Sequence, residues 1–159
     1  MKESHESERS LSVGCSVGRI PFELANHFKE PYGIDYTARF FQMATRLCEN
    51  GQICYRDVEV DFKKLGFKKN SVTLYQFNPE NPDPKKLQKF DFIFVDGYAL
   101  RDGTLMNVLS KTQMLLADEK CRVAVVSHKK NSLAKSKIVS FDRSWVEVKE
   151  EKMGDCNEK

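Results

Sequence analysis

Between Leu11 and Asp35 the chain has few folds open to it. Leu11 and Val13 form a short apolar run. Gly14-Cys15-Ser16-Val17-Gly18 follows, then an apolar helical stretch from Arg19 to Phe28, then Pro31-Tyr32-Gly33-Ile34-Asp35. The order is strand, small-residue turn, helix, strand, acid. Glycine lets the backbone turn sharply and come close to a ligand. The helix that follows presents its positive N-terminal end to the same corner. Asp35 follows Gly14 by about 20 positions, the separation expected of an acid that receives ribose hydroxyls. The stretch predicts a Rossmann-like βαβ unit built to hold an adenosine-bearing cofactor.

The rest of the chain continues the alternation. Thr37 can cap a second helix, with Phe40, Phe41, Ala44 and Leu47 at helical spacing and Asn50-Gly51 at its end. Arg56 to Phe62 alternates apolar and acidic residues and suits a half-exposed strand or an extended connector. Val72 to Gln76 reads as the next strand. Asn78-Pro79-Glu80-Asn81-Pro82-Asp83-Pro84 reads as a proline-stiffened loop, neither helix nor central strand. Phe90 to Val95 is a dense apolar strand of the kind buried on both faces of a parallel sheet. Thr104 to Ala117 is an amphipathic helix, and Cys121 to Ser127 a further buried strand. Ile138 to Phe141 and Ser144 to Val148 flank Asp142-Arg143 as a hairpin. Alternating strands and helices predict an α/β fold with a doubly wound, mostly parallel sheet. The expected domain runs over 11–149, between a disordered polar tail at 1–10 and a polar tail at 150–159. Ligands in such a sheet bind at the carboxyl ends of the strands. Those ends are Gly14 to Gly18, Asp35, Gln76 to Asn78, and Asp96 to Tyr98.

Composition narrows the function classes. The chain has 26 basic and 23 acidic residues, a net charge of +3. This near balance does not point to nucleic acid. The densest basic stretch, from Lys129-Lys130 to Lys137, has no interleaved aromatics and reads as a solvated loop. The five cysteines are odd in number and lack metal-binding spacing, so neither a metal site nor a disulfide scaffold is expected. Cys48, Cys54 and Cys121 sit in apolar settings and read as buried thiols. A reducing cytoplasm fits this usage. The first ten residues are polar throughout, unlike a signal peptide. No apolar run approaches the roughly 18 residues of a membrane span.

Three chemistries could use the glycine turn. A dinucleotide fingerprint needs glycine where this chain has Ser16 and Arg19, and the missing second glycine obstructs a pyrophosphate. A nucleophile elbow also fits the pentapeptide, with Ser16 as nucleophile, His128 as base and Asp96 or Asp118 as its orienter. An elbow, however, follows a central strand with several strands before it, and only about ten residues precede this one. A methyl donor has no pyrophosphate, so Ser16 is tolerable. Asp35 would then hold the ribose hydroxyls by charge-assisted hydrogen bonds, unless it caps the second helix instead.

The run GCSVGRIPFELANHFKEPYGIDYTARFFQMATRL resembles the first half of class I S-adenosylmethionine-dependent methyltransferases. More narrowly, it is similar to the 4-mercaptohistidine N-methyltransferase domain of ovothiol synthases, through GC-small-VGR, FELA, the GID turn and the ARFFQMA helix. Weaker similarity continues through VEVDFKKLG and FDFIFVD, over residues 11 to 127. The resemblance implies S-adenosylmethionine as cofactor, held by Gly14, Ser16, Gly18 and Asp35, with Asn78 the best substitute for the family's contact after the third strand. It also implies a small-molecule acceptor, a thiol-histidine imidazole nitrogen or a similar ring. Asp96 and Tyr98 would face that acceptor, orienting it or taking a proton. No metal, nucleic-acid or membrane partner is expected, and a protein partner stays open. The family usually carries an acid two residues before the first glycine, where this chain has Ser12. The loop Asp96-Gly97-Tyr98 also departs from the family's usual sequence. These departures define an alternative: a degenerate, non-catalytic methyltransferase-like binding module.

Overall fold

Leu11 and Val13 are fully buried because their strand is the middle of a sheet. In a computed structural model, residues 8–101, 103–117, 121–126, 138–141 and 144–147 are described. Strand β1 (Arg9–Val13) pairs in parallel with β2 (Glu30–Asp35) on one side and β6 (Phe92–Asp96) on the other. Beyond β2 lies β5 (Thr73–Gln76), and beyond β6 lies β7 (Arg122–Val126), both parallel. Strands β8 (Ile138–Phe141) and β9 (Ser144–Glu147) form the expected hairpin, with β9 paired to β7. The order is β5-β2-β1-β6-β7-β9-β8. The chain winds outward from β1 in one direction, then returns to β6 and winds outward in the other. The reversal falls between β1 and β6, which is where open α/β sheets hold ligands.

The two faces of β1 differ. Leu11 and Val13 join Ile34, Ile93, Val95, Val123 and Val125 in a core closed by Leu105, Val108 and Leu109 of helix α5 (Leu105–Gln113). Ser10 and Ser12 point the other way and are equally buried. Gly33 is in register with Ser12. A Cβ there would lie 3.1 Å from both Pro21 Cγ and Cys15 Sγ. Small residues therefore let helix α1 (Arg19–Leu24) settle close to the sheet. This helix is shorter than the Arg19–Phe28 stretch expected; Phe28 lies past its end and stacks on Phe92 at 5.5 Å between ring centroids.

Helix α2 (Ala38–Asn50) ends at Gly51, whose φ of 73° is the left-handed cap that glycine favours. It buries Ala44, Leu47 and Cys48, while Phe40 stays exposed. The half-exposed strand expected over Arg56 to Phe62 is one arm of an antiparallel hairpin, β3 (Gln52–Tyr55) with β4 (Val58–Asp61), separate from the main sheet. Arg56, at φ 55°, makes its turn. Helix α3 (Phe62–Leu65) follows, capped by the Asp61 carboxylate, which accepts from the Lys63 N–H at 2.8 Å. Phe62 packs edge-on against Phe22 with ring centroids 4.6 Å apart, and this contact anchors the hairpin to α1 and α2.

Two further expectations are corrected. The proline loop ends in a short helix α4 (Pro84–Leu87), with Asp83 accepting from the Lys85 N–H at 3.0 Å. Pro84 takes the first helical position, where its missing N–H has no bond to lose. Cys54 is exposed while Cys48 and Cys121 are buried, because Cys54 lies on the added hairpin rather than in the sheet. No helix among the described residues is long and apolar enough to cross a membrane.

Candidate functional site

The glycine turn is built by backbone hydrogen bonds to the neighbouring strand. The N–H groups of Gly14 and Cys15 both donate to the Ile34 carbonyl at 3.0 Å, and the Gly18 N–H closes the turn on the Cys15 carbonyl at 2.8 Å. Gly14, Ser16 and Gly18 all have positive φ, at 74°, 51° and 94°. Glycine takes this conformation freely. A Cβ at Gly14 would fall 3.1 Å from the Asp96 carbonyl oxygen and 3.0 Å from Ala99 Cβ. The turn after β1 thus lies directly against the turn after β6.

Ser16 is the non-glycine member of this trio, and Asp35 holds it there. The Ser16 N–H donates to one oxygen of the Asp35 carboxylate at 2.8 Å, and the Thr37 N–H donates to the other at 2.7 Å. One side chain therefore fixes both the glycine turn and the start of α2. Asp35 itself is only 1% exposed. Thr37 is the N-terminal cap residue, but the side chain serving that end of the helix is Asp35.

The loop after β5 joins the same corner. The Phe77 N–H donates to the Asp35 carbonyl at 3.0 Å. Asn78 is exposed beside it, with its side-chain oxygen accepting from the Glu80 N–H at 3.0 Å. After β6, the Asp96 carboxylate accepts from the Tyr98 N–H at 2.9 Å. Burial pushes the Asp96 carboxyl above its ordinary range; the nearby N–H groups of Tyr98 and Ala99 oppose this, and the Asp35 charge adds to it. Tyr98 is 52% exposed. The structure thus gathers Gly14, Ser16, Gly18, Asp35, Asn78, Asp96 and Tyr98 at one end of the sheet. Asp118 and His128, which a hydrolase would need, lie outside the described residues. No cluster of metal-binding side chains occurs among the described residues.

Residues 11–78 match the family model described as a methyltransferase domain. The YcgJ protein of Bacillus subtilis has a TM-score of 0.56 at 19% identity, over 79% of this chain and 46% of that one. An rRNA methylase from Streptococcus thermophilus gives 0.54 at 13%, over 81% and 66%. A TehB-like S-adenosylmethionine-dependent methyltransferase from Corynebacterium glutamicum gives 0.53 at 16%, over 77% and 55%. The chain has a methyltransferase fold. It spans about half the length of the solved structures it matches. No curated protein matches the sequence.

Four further residues of this methyltransferase fold stand at the same corner without being singled out by the sequence. Cys15 is buried in the glycine turn, and burial, with the Asp35 charge adding, pushes its thiol up to about 12. Tyr36, 43% exposed, follows the strand-end acid directly; an aromatic beside that acid was the available signal. Arg101 and Glu80 form an ion pair at 3.0 Å that ties the loop after β6 to the loop after β5. Residues so far apart in sequence gave no local sign of that pairing.

Proposed function

We propose that this chain is an S-adenosylmethionine-dependent methyltransferase acting on a small molecule. The observation that carries the reading is the glycine turn at the reversal between β1 and β6, locked to β2 by Asp35. The residues fit such a donor. A Cβ at Gly14 would strike the Asp96 turn, so the corner is a cradle that side chains would fill. Ser16 occupies the place where a diphosphate would need glycine, which suits a ligand without one. Gly14, Ser16 and Gly18 would cradle the donor and Asp35 would face its ribose. Each carboxylate oxygen has two acceptor sites, so a backbone N–H on each oxygen leaves room for a hydroxyl.

When bound, the donor supplies a methyl carbon activated by its sulfonium. The chain's task is then positioning, which can carry most of the rate. Asn78 would border the adenosine. Asp96 would orient the acceptor or take its proton, since a carboxyl held above its ordinary range is a better base than an unperturbed one. Tyr98 would border the acceptor at the rim. The likeness to the ovothiol-synthase methyltransferase domain supports an imidazole nitrogen as the methylated atom.

One observation favours a second reading, a binding module without turnover: the Asp35 carboxylate is buried and already serves two backbone N–H groups. Calorimetric titration with S-adenosylhomocysteine tests both. Binding is expected, and Asp35→Asn should weaken it about tenfold or more, because the amide loses the charge and also leaves the Ser16 or Thr37 N–H without its acceptor. No heat at millimolar ligand would end both readings. Binding without methylation of small imidazoles by S-adenosylmethionine would select the second.

A further inference from the structure

The +3 charge of this chain is concentrated in one segment. Residues 38–70 hold seven lysines and arginines against four acids, so the rest of the chain is balanced. Two of those cations share a flank of α2. Arg39, Gln42, Met43 and Arg46 recur at intervals of three and four residues, which places them on one arc of the helix. That arc lies beside the buried stripe of Ala44, Leu47 and Cys48. Ile53 and Cys54 of β3 form the opposite wall, and the cavity between them measures about 240 Å³.

The lining combines two guanidinium groups, an amide and an apolar floor. Guanidinium groups bind phosphate through paired N–H donors. Gln42 adds amide donors, and Met43 and Ile53 offer apolar surface. Two of the hairpin's acids are engaged elsewhere. Glu59, opposite Cys54 on β4, pairs with Lys64 at 3.3 Å. Asp61 caps α3. The volume, about 240 Å³, lies below the roughly 300 Å³ where drug-sized pockets begin, which suits a compact ligand.

We propose that this cavity binds a small phosphate monoester with a compact apolar body. The site is separate from the glycine turn and shares no residue with it, so it stands whether or not the chain binds a methyl donor. Titration of the full chain with phenyl phosphate tests it, with benzyl alcohol and inorganic phosphate as comparisons. Phenyl phosphate should bind, inorganic phosphate more weakly, and benzyl alcohol not at all. Arg46→Gln and Arg39→Gln should each weaken phenyl phosphate about tenfold or more, while titration with S-adenosylhomocysteine stays as in the parent. No heat from millimolar phenyl phosphate, or equal affinity in the parent and both variants, would overturn the proposal.

Discussion

Asp35 and Asp96 are both acids at strand ends, yet their surroundings set them opposite tasks. Asp35 receives two backbone N–H groups at 2.8 and 2.7 Å, while Asp96 is raised mainly by burial. A carboxyl whose pKa is higher folded than unfolded holds its proton more tightly in the native state. Its contribution is present at low pH and lost as pH rises through the carboxyl range. Asp96→Asn keeps the oxygen that accepts from Tyr98. It should therefore raise the urea midpoint at pH 7, with the gain vanishing below about pH 4; an equal gain at both pH values would refute the account. The cysteines offer a second check. Cys54 is exposed, whereas Cys15, Cys48 and Cys121 are buried, and a thiol raised to about 12 is protonated at neutral pH. Brief iodoacetamide treatment followed by peptide mass spectrometry should find Cys54 alkylated and those three untouched until the chain is unfolded. The sequence marked Gly14, Ser16, Gly18 and Asp35 because turn and acid chemistry are local. It misplaced Cys54, because an apolar neighbourhood along the chain is not an apolar neighbourhood in space.

At the scale of elements, the least legible part was Gln52 to Leu65. Alternation revealed one strand there, but its partner β3 is short, and the turn at Arg56-Asp57 lacks the glycine that usually marks a hairpin. Phe62 is the most buried anchor of the unit, beside Ile53 and Val60, which pack on the same cluster. Phe62 is 1% exposed and packs on Phe22 and Phe67. Phe62→Ala should cost about 3–5 kcal/mol, read as a lower urea midpoint. Loss of that anchor should also release β3 from α2 and abolish phenyl phosphate binding. A variant as stable as the parent would show that the hairpin is not anchored there. Helix α4 has no clear local signature for a related reason. Proline breaks a helix in its interior, whereas at Pro84 it begins the helix under the Asp83 cap.

For the whole molecule, ligand linkage is the broadest test. A ligand that binds only the folded chain stabilises it by mass action, by about 2.7 kcal/mol at a hundredfold excess over its Kd. S-adenosylhomocysteine should accordingly raise the thermal midpoint as its concentration rises. A midpoint independent of ligand would count against the methyl-donor site while leaving the fold intact. The fold class was legible because alternating strands and helices, an apolar strand such as Phe92–Asp96 and a glycine corner are properties of neighbouring residues. The sequence by itself determined that a mostly parallel α/β sheet would form and that a glycine turn would follow its first strand. Only the tertiary structure decided that Asp35 spends its carboxylate on the Ser16 and Thr37 amides, that Ser12 and Gly33 are small so that α1 can lie close, and that an added hairpin walls a cationic cavity on α2. Each of these joins residues distant in the chain, and such pairings follow from burial and packing in space rather than from local periodicity.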